Sequence, residues 1–535
     1  MENKTSRRHF LKASSLATAG VASSGLLSSQ TLLARVESKQ REHHPHVIIG
    51  SGFGGSITAL RLTERGKPAL IIEKGNFWDT SEGNNAFSPN LYPDGRSTWL
   101  SHFTVVPLGP SLPIRKRTGV LQGRTMGGLT LLSGAAYGGG SVTYGGVMVK
   151  PDQGVFDALY PKEIRFHSLK TYYDRVAAML GRSIPPEDVL SHPNYKHVKV
   201  MKEHCRLAGI EYESIPTATR WDVVRREMAE KKYSILNGEA IYGVNSGAKV
   251  TMVETYLKKA KETGLLETKT HRRVLSIGYL KEEGKYLIKT EKINSAGRIE
   301  AKQEITCDKL FLCAGSIGTS SLLVKAKTLG TLSQLNDEVG RGFGNNGNVY
   351  ALRLIEEATG RMQAGPPAVG IRDVDNPISP LFIEHPQLPV GLDLRALLYF
   401  GIGVNPTRGS YYYDVGAKKV KLRWPKVDEG QNKVNQAFLA TLSKLNEKAG
   451  GSTSSILTAF RSKVKDNAVY HPLGGCVMGK ACDFYGRVKG YKGLYVNDSS
   501  FLPGTSACTN PSFTISALAE RNIETILKRD FSRYF

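Results

Sequence analysis

The 535-residue sequence predicts an α/β fold: a parallel sheet wrapped by helices, joined to a second α+β portion containing an antiparallel sheet. Three observations carry this prediction. A β-branched run enters a glycine-rich turn near residue 50 and leaves it through a helical stretch. Two further short apolar runs end in a glycine turn near residue 315 and in an acid at residue 498. Aromatic and basic segments over 409–414 and 420–424 read as antiparallel strands. So long a chain exceeds what one core requires, which argues for more than one lobe and excludes a peptide hormone or a lone small module.

At the amino end, Ser6-Arg7-Arg8-His9-Phe10-Leu11-Lys12 precedes a weakly apolar stretch from Ala13 to Leu27. That is the order of an export signal, and the paired arginines are of the twin-arginine type, a route that carries folded chains. A leader ending near Ala34 is expected, with the mature protein periplasmic or secreted. No later apolar run reaches the ~18 residues needed to span a bilayer. The mature chain is therefore expected to be soluble, with peripheral membrane contact left open.

Lys+Arg 72 against Asp+Glu 48 gives a net charge of +24. The basic residues are dispersed, and runs such as Arg115-Lys116-Arg117 lack interleaved stacking aromatics, which argues against nucleic acid as a partner. The 6 cysteines show neither metal-ligand spacing nor the density of a disulfide scaffold and are expected to be buried free thiols. No metal site is expected.

The first element is the strand His46-Val47-Ile48-Ile49, which runs into Gly50-Ser51-Gly52-Phe53-Gly54-Gly55. A helical stretch with Ile57, Leu60 and Leu62 follows, then a second strand, Ala69-Leu70-Ile71-Ile72-Glu73. This order of strand, glycine turn, helix and strand is Rossmann-like. Gly50 permits the tight turn, Gly52 lets the backbone meet a diphosphate at the helix N-terminus, and Gly55 lets helix pack on strand. Glu73 is placed to accept hydrogen bonds from a ribose diol, which disfavours a 2′-phosphate and leaves NAD and FAD open.

A second bare loop, Gly134-Ala135-Ala136-Tyr137-Gly138-Gly139-Gly140-Ser141 with Tyr144-Gly145-Gly146, has almost no side chains to hold a planar ring away. Asp308-Lys309-Leu310-Phe311-Leu312-Cys313-Ala314-Gly315-Ser316 reads as a third strand of the parallel sheet, followed by a helix from about Thr319. Gly493-Leu494-Tyr495-Val496-Asn497-Asp498 is a further strand, and Asn510-Pro511 opens a long helix with Ile515, Leu518, Ile523 and Ile526 on one face. That helix N-terminus offers partial positive charge to a reduced ring system.

Together with Gly342-Phe343-Gly344-Asn345-Asn346-Gly347-Asn348 and Tyr470-His471-Pro472-Leu473-Gly474-Gly475-Cys476, these segments resemble the glucose-methanol-choline oxidoreductases, and among them the non-covalent FAD cholesterol oxidases. The resemblance runs from about His46 to the carboxyl end. It implies FAD rather than NAD, and a flavin domain interrupted by a substrate domain. The flavin domain is expected over 45–155, 248–348 and 467–535, and the substrate domain over 156–247 and 349–466. The cofactor-binding set is Gly50, Ser51, Gly52, Phe53, Gly54, Gly55, Glu73, Gly138, Gly139, Gly140, Ser141, Tyr144, Gly145, Val274, Ala314, Gly315, Asp498, Asn510 and Pro511.

Alcohol oxidation needs an acceptor for the hydroxyl proton while hydride leaves the same carbon. His471, in a constrained Pro/Gly loop, suits that part and matches the family's active-site histidine. Asn510 can orient substrate and flavin while capping the last helix. Glu384 lies in Pro380-Leu381-Phe382-Ile383-Glu384-His385-Pro386, where burial raises a carboxyl pKa, and the resemblance gives it the proton shuttle of double-bond isomerisation. A pair with His385 is an alternative for it. The chain departs from the cholesterol oxidases at Ala135 and Tyr144, in an extra stretch over 107–131, and in a longer loop before Asn510. Substrate and oxygen use are not fixed by the resemblance. The expected activity is oxidation of a 3β-hydroxysteroid or other bulky hydrophobic alcohol, with O2 as acceptor. A dehydrogenase using a quinone or protein acceptor and an inactive lipid-binding flavoprotein are the alternatives.

Overall fold

A computed structural model describes residues 41–79, 85–105, 111–454 and 468–531. The expected leader lies outside these residues, as do 106–110 of the extra stretch. From Glu42 onward the chain forms one compact unit.

Its largest sheet has seven strands organised around the 14-residue strand Ile299–Leu312. Glu42–Ile49 pairs with it in parallel, Val47 opposite Leu310 and Ile49 opposite Leu312. Ala69–Ile72 and Leu266–Lys269 extend the parallel side. On its other edge the long strand first takes Lys285–Ile293 antiparallel and then, near its end, Leu494–Val496 in parallel. One strand thereby joins the glycine turns near 50, 315 and 498 to the same sheet edge. Val47, Ile48, Leu70, Ile71, Leu310, Phe311 and Leu312 are all buried, the signature of a parallel sheet covered on both faces.

Helix Phe53–Thr63 packs against the carboxyl-terminal helix Pro511–Asp530. The buried Glu520 fixes their docking, accepting from Arg61 Nε at 2.8 Å, Arg175 Nη1 at 3.2 Å and the Tyr256 hydroxyl at 2.9 Å. The helix after the third strand begins at Gly315 rather than Thr319, because Asp498 accepts the Gly315 N–H and starts the turn early.

A second, six-stranded antiparallel sheet is ordered Ser452–Ser454, Asn348–Leu354, Ala396–Gly403, Leu381–Glu384, Val369–Asp373, Glu213–Ser214. Helix Glu429–Ala449 covers one face. It approaches so closely that a Cβ on Gly401 would stand 2.7 Å from the Phe438 ring, and one on Gly403 2.6 Å from Val434. The opposite face carries Tyr350, Glu384, Leu398 and Phe400.

The segments Gly409–Asp414 and Lys419–Arg423 do pair as antiparallel strands, but they form a separate three-stranded sheet with Arg341–Phe343. Tyr413 and Val420 of this sheet line the same cavity as Glu384. Tyr411 is buried with its hydroxyl 3.2 Å from Ser316 Oγ, which ties this sheet to helix Gly315–Thr328. All six cysteines are free and buried. Among the described residues no helix is long and apolar enough to cross a membrane.

Candidate active site

Bare backbone from distant parts of the chain meets at the ends of the parallel strands. Gly50 has φ +98°, and a Cβ there would stand 2.4 Å from the Cys313 carbonyl oxygen. On Gly54 it would stand 1.6 Å from the Asn497 carbonyl, and on Gly55 2.0 Å from that of Gly50. Gly139 brings the second loop onto the first, its own absent Cβ falling 2.5 Å from the Gly52 Cα.

Ser51 locks the two loops together. Its hydroxyl accepts from the Gly138 N–H at 3.0 Å and donates to Glu73 Oε2 at 2.8 Å. Glu73 also accepts from the Ser51 and Gly75 N–H groups, leaving lone pairs for a ribose. Asp498 does the same for the third turn, accepting from the Gly315 N–H at 2.8 Å and the Thr319 hydroxyl at 2.5 Å.

These turns open on a cavity of about 910 Å³, a size suited to a cofactor with its substrate. Gly50, Ser51, Gly52, Phe53, Gly54, Glu73, Gly139, Gly140, Tyr144, Gly145, Val274, Ala314, Gly315, Asp498, Asn510 and Pro511 line it, together with Glu384 and His471. Gly55, Gly138 and Ser141 stand behind the wall. Ser141 donates to the Gly138 carbonyl and accepts the Met252 N–H, so it shapes the loop rather than facing the cavity. The Tyr144 hydroxyl donates to the Val250 carbonyl, holding its ring in place.

At the other end, Glu384 is the last residue of its strand and sits opposite Phe400. Its Oε1 accepts from Asn510 Nδ2 at 3.0 Å, while its buried Oε2 has no partner. Burial pushes its carboxyl up to about 7 against the lowering effect of Asn510. Asn510 occupies the N-cap position, but its side chain does not cap the helix; it is turned to Glu384, which corrects the dual role expected for it. Its Oδ1 is buried without a partner. His385 does not pair with Glu384 either. Its Nδ1 donates to the Leu398 carbonyl at 2.7 Å and its Nε2 meets His197 Nδ1 at 2.8 Å, on the far side of the strand.

His471 lies 5.5 Å, ring to ring, from Phe400. Its Nδ1 faces Asn348 Nδ2 at 3.1 Å. The Asn348 amide cannot turn round without loss, because its Oδ1 already accepts the backbone N–H groups of Tyr470 and His471 at 3.1 and 3.2 Å. Nδ1 is therefore an acceptor, and the neutral ring carries its proton on Nε2. Burial pushes the imidazolium down to about 3, so the ring is neutral at ordinary pH.

Sequence reasoning did not single out Asn348, Phe400, Tyr350 or Lys74. The segment Gly344-Asn345-Asn346-Gly347-Asn348 carried a signal, since amides flanked by glycine at a strand start are poor core residues unless bonded. The residues present fit a flavin dinucleotide. The floor has no side chains to displace, the uncapped N-terminus of helix Phe53–Thr63 opens on it, and Asn510 Oδ1 and Glu384 Oε2 await partners at its apolar end.

Family models of the GMC oxidoreductases match residues 47–345 and 422–519, and the C-terminal model of the same family matches 346–458. The chain is 25% identical to a cholesterol oxidase of Acinetobacter baumannii over 565 residues, covering 90% of this chain and 94% of that one. It is 25% identical over 286 residues to a long-chain-alcohol oxidase of Arabidopsis thaliana, covering 52% of this chain and 34% of that one. A fungal aryl-alcohol oxidase structure superposes with a TM-score of 0.63 at 13% identity, covering 92% of this chain and all of that one, which shows the shared fold. With the amino-terminal model alone spanning more than half of its length, the chain belongs to the GMC oxidoreductase family, oxidoreductases that act on CH–OH donors and typically bind FAD.

Proposed function

We propose that this protein is an exported, FAD-dependent oxidase of a bulky hydrophobic secondary alcohol, of 3β-hydroxysteroid type, which holds its flavin non-covalently and returns electrons to dioxygen as hydrogen peroxide. The observation that carries the reading is one cavity whose nucleotide end is glycine main chain and whose other end presents Glu384, His471 and Asn510 among Tyr350, Leu398 and Phe400. Similarity to a cholesterol oxidase along nearly the whole chain supports the sterol assignment. In this reading the sheet around Ile299–Leu312 belongs to the flavin domain and the six-stranded sheet to the substrate domain.

When bound, FAD supplies the hydride acceptor; the alcohol loses a hydride from carbon and a proton from oxygen and becomes a ketone. The chain's own groups divide the proton work. With Nδ1 engaged by Asn348, His471 has an Nε2–H to offer the carbinol oxygen, which it holds and stabilises as charge develops there. Glu384 has the free carboxylate oxygen and a pKa near neutrality, so it accepts the hydroxyl proton. Sequence alone suggested His471 for that step; the Asn348 amide favours the donor's part for it. Once the hydroxyl proton has passed to solvent, the same carboxylate can take a proton from the carbon between the ketone and a neighbouring double bond and return it to the far alkene carbon, which moves the double bond with no net change in protons. Asn510 holds one Glu384 oxygen and aims the other.

Exposed Leu91, Tyr92 and Leu392 lie on loops at this end, Leu91 within 3.5 Å of the position a Gly391 Cβ would take, which supports extraction of the alcohol from a lipid surface. The test is anaerobic titration with sterols and simpler alcohols. Bleaching of the flavin band by a 3β-hydroxysteroid, with peroxide formed on admitting air, is expected. Failure of every alcohol to bleach it would favour the inactive flavoprotein; bleaching followed by dye reduction without peroxide would make it a dehydrogenase. Acid precipitation should leave the yellow colour in the supernatant.

A further inference from the structure

Lys74 and Arg124 are neighbours in the cavity wall, and no carboxylate is bonded to either among the described residues. Lys74 directly follows Glu73 at the end of its strand. Its Nζ donates to Gln122 Oε1 at 2.6 Å and lies 5.8 Å from the Trp99 ring centre; no carboxylate is bonded to it. An ammonium has three donors, and burial pushes this one down to about 7.

Gln122 belongs to the strand Leu121–Met126, which forms a hairpin with Leu129–Gly134. Arg124, two residues on, stands on the same face of that strand as Gln122. It makes no ion pair or hydrogen bond among the described residues, and Lys74 and the Tyr411 phenol are the titratable groups it interacts with. Of the other four cations of the wall, Lys418 is exposed and three are already engaged. Arg272 donates to Gln303 Oε1 at 2.9 Å, Arg273 pairs with Glu291, and Lys325 donates to the Leu275 carbonyl at 2.8 Å.

Lys74 is drawn by Glu73 but repelled by Arg124, and an anion bound between the two cations would relieve that repulsion. The same cavity contains the N-terminus of helix Phe53–Thr63, which has no side-chain cap; at helix Gly315–Thr328 the first two N–H groups are already taken by Asp498 and Ser499. The uncapped helix start favours negative charge, and Glu73 marks the ribose one residue before Lys74.

We propose that Lys74 and Arg124, the latter carried by the hairpin over 121–134, form a cationic clasp that closes over the diphosphate of the bound dinucleotide, with the N-terminus of helix Phe53–Thr63 opposite. This rests on the reading of the cavity as an FAD site. The main-chain floor supplies shape and partial charge, and the clasp adds the Arg124 charge and that of Lys74, which the bound anion draws to its protonated form, and so holds the cofactor without a covalent bond.

The experiment uses the full-length protein stripped of flavin and titrated calorimetrically with FAD, ADP, adenosine and riboflavin. Arg124→Ala and Lys74→Met should each weaken FAD and ADP about tenfold while leaving adenosine and riboflavin, which carry no diphosphate, unchanged. Arg124→Lys should recover most of the loss, and the salt dependence of ADP binding should be shallower in both charge-removing variants. Equal weakening of ADP and adenosine would make the residues merely structural and overturn the clasp, as would an unchanged ADP affinity. A wild-type protein that takes up neither FAD nor ADP would instead overturn the cofactor reading itself.

Discussion

At its nucleotide end the cavity is walled by main chain, at Gly50, Gly52, Gly54, Gly139 and Gly315; at its other end it is walled by side chains of Glu384, Tyr350, Phe400 and His471. At Gly50, Gly54 and Gly139 an added carbon would fall within 2.5 Å of neighbouring main chain. The second contains unanswered polar atoms, Glu384 Oε2, Asn510 Oδ1 and the Tyr350 hydroxyl, set among apolar surface. A binding floor is made by removing side chains until backbones touch, whereas a reactive end is made by leaving buried polar groups short of partners, which raises their energy and readies them for a ligand.

The contrast is broken most severely at the floor. Gly54→Ala puts a carbon 1.6 Å from the Asn497 carbonyl, and both the helix and the sheet edge must move. Loss of bound flavin and a fall in stability of about 3 kcal/mol are expected, read by visible absorbance and by thermal unfolding.

Next in size, Glu384→Gln removes the proton acceptor while keeping the Asn510 contact. Flavin reduction by alcohol should slow at least about a hundredfold with the cofactor still bound, and any double-bond migration should vanish; stopped-flow and product analysis separate the two.

Third, Asn348→Asp replaces an amide donor by a carboxylate, which draws the His471 proton to Nδ1 and strips the donor from Nε2. A loss of about tenfold in kcat/KM is expected, accompanied by a histidine titration at higher pH than in the wild type. Ring-nitrogen chemical shifts report the tautomer directly.

The pH dependence follows from the same groups. With its carboxyl near 7, Glu384 accepts a proton only when ionised, so kcat/KM should rise with pH through about 7, and Glu384→Gln should abolish that limb. Its folded pKa is above the unfolded one, so it favours the fold at low pH, a contribution lost as pH rises through about 7. His471 works the other way. Its folded pKa, about 3, is below the unfolded value, so stability drops as pH falls from about 6.5 toward 3.

The smallest effect belongs to Asn510→Ala. Because its side chain makes no cap, helix Pro511–Asp530 should lose less than about 0.5 kcal/mol, while the Glu384 limb moves to higher pH as the lowering hydrogen bond disappears.

The two ends also differed in how far the sequence revealed them. The floor was legible because each glycine answers a local need, a positive φ at Gly50 or a touching carbonyl at Gly54 and Gly55, and such needs leave a spaced pattern in the chain. Glu384 could be singled out from its apolar neighbours. Its partner could not, since Asn510 lies 126 residues away and His385, the neighbour in sequence, points to the opposite face of the same strand. Asn348 and His471 are likewise 123 residues apart. The strands over 409–423 were read correctly as an antiparallel pair, but their third member, Arg341–Phe343, was not legible, because local pattern gives a hairpin and not its distant partner.

The account turns on Glu384 as the group that takes the hydroxyl proton while glycine main chain holds the flavin. Single-turnover reduction of the bound flavin by a 3β-hydroxysteroid, without oxygen and across pH, tests it most directly. The account predicts a rate that climbs through about pH 7 in the wild type and a low, pH-independent rate in Glu384→Gln. Equal rates and equal profiles for the two proteins would contradict it.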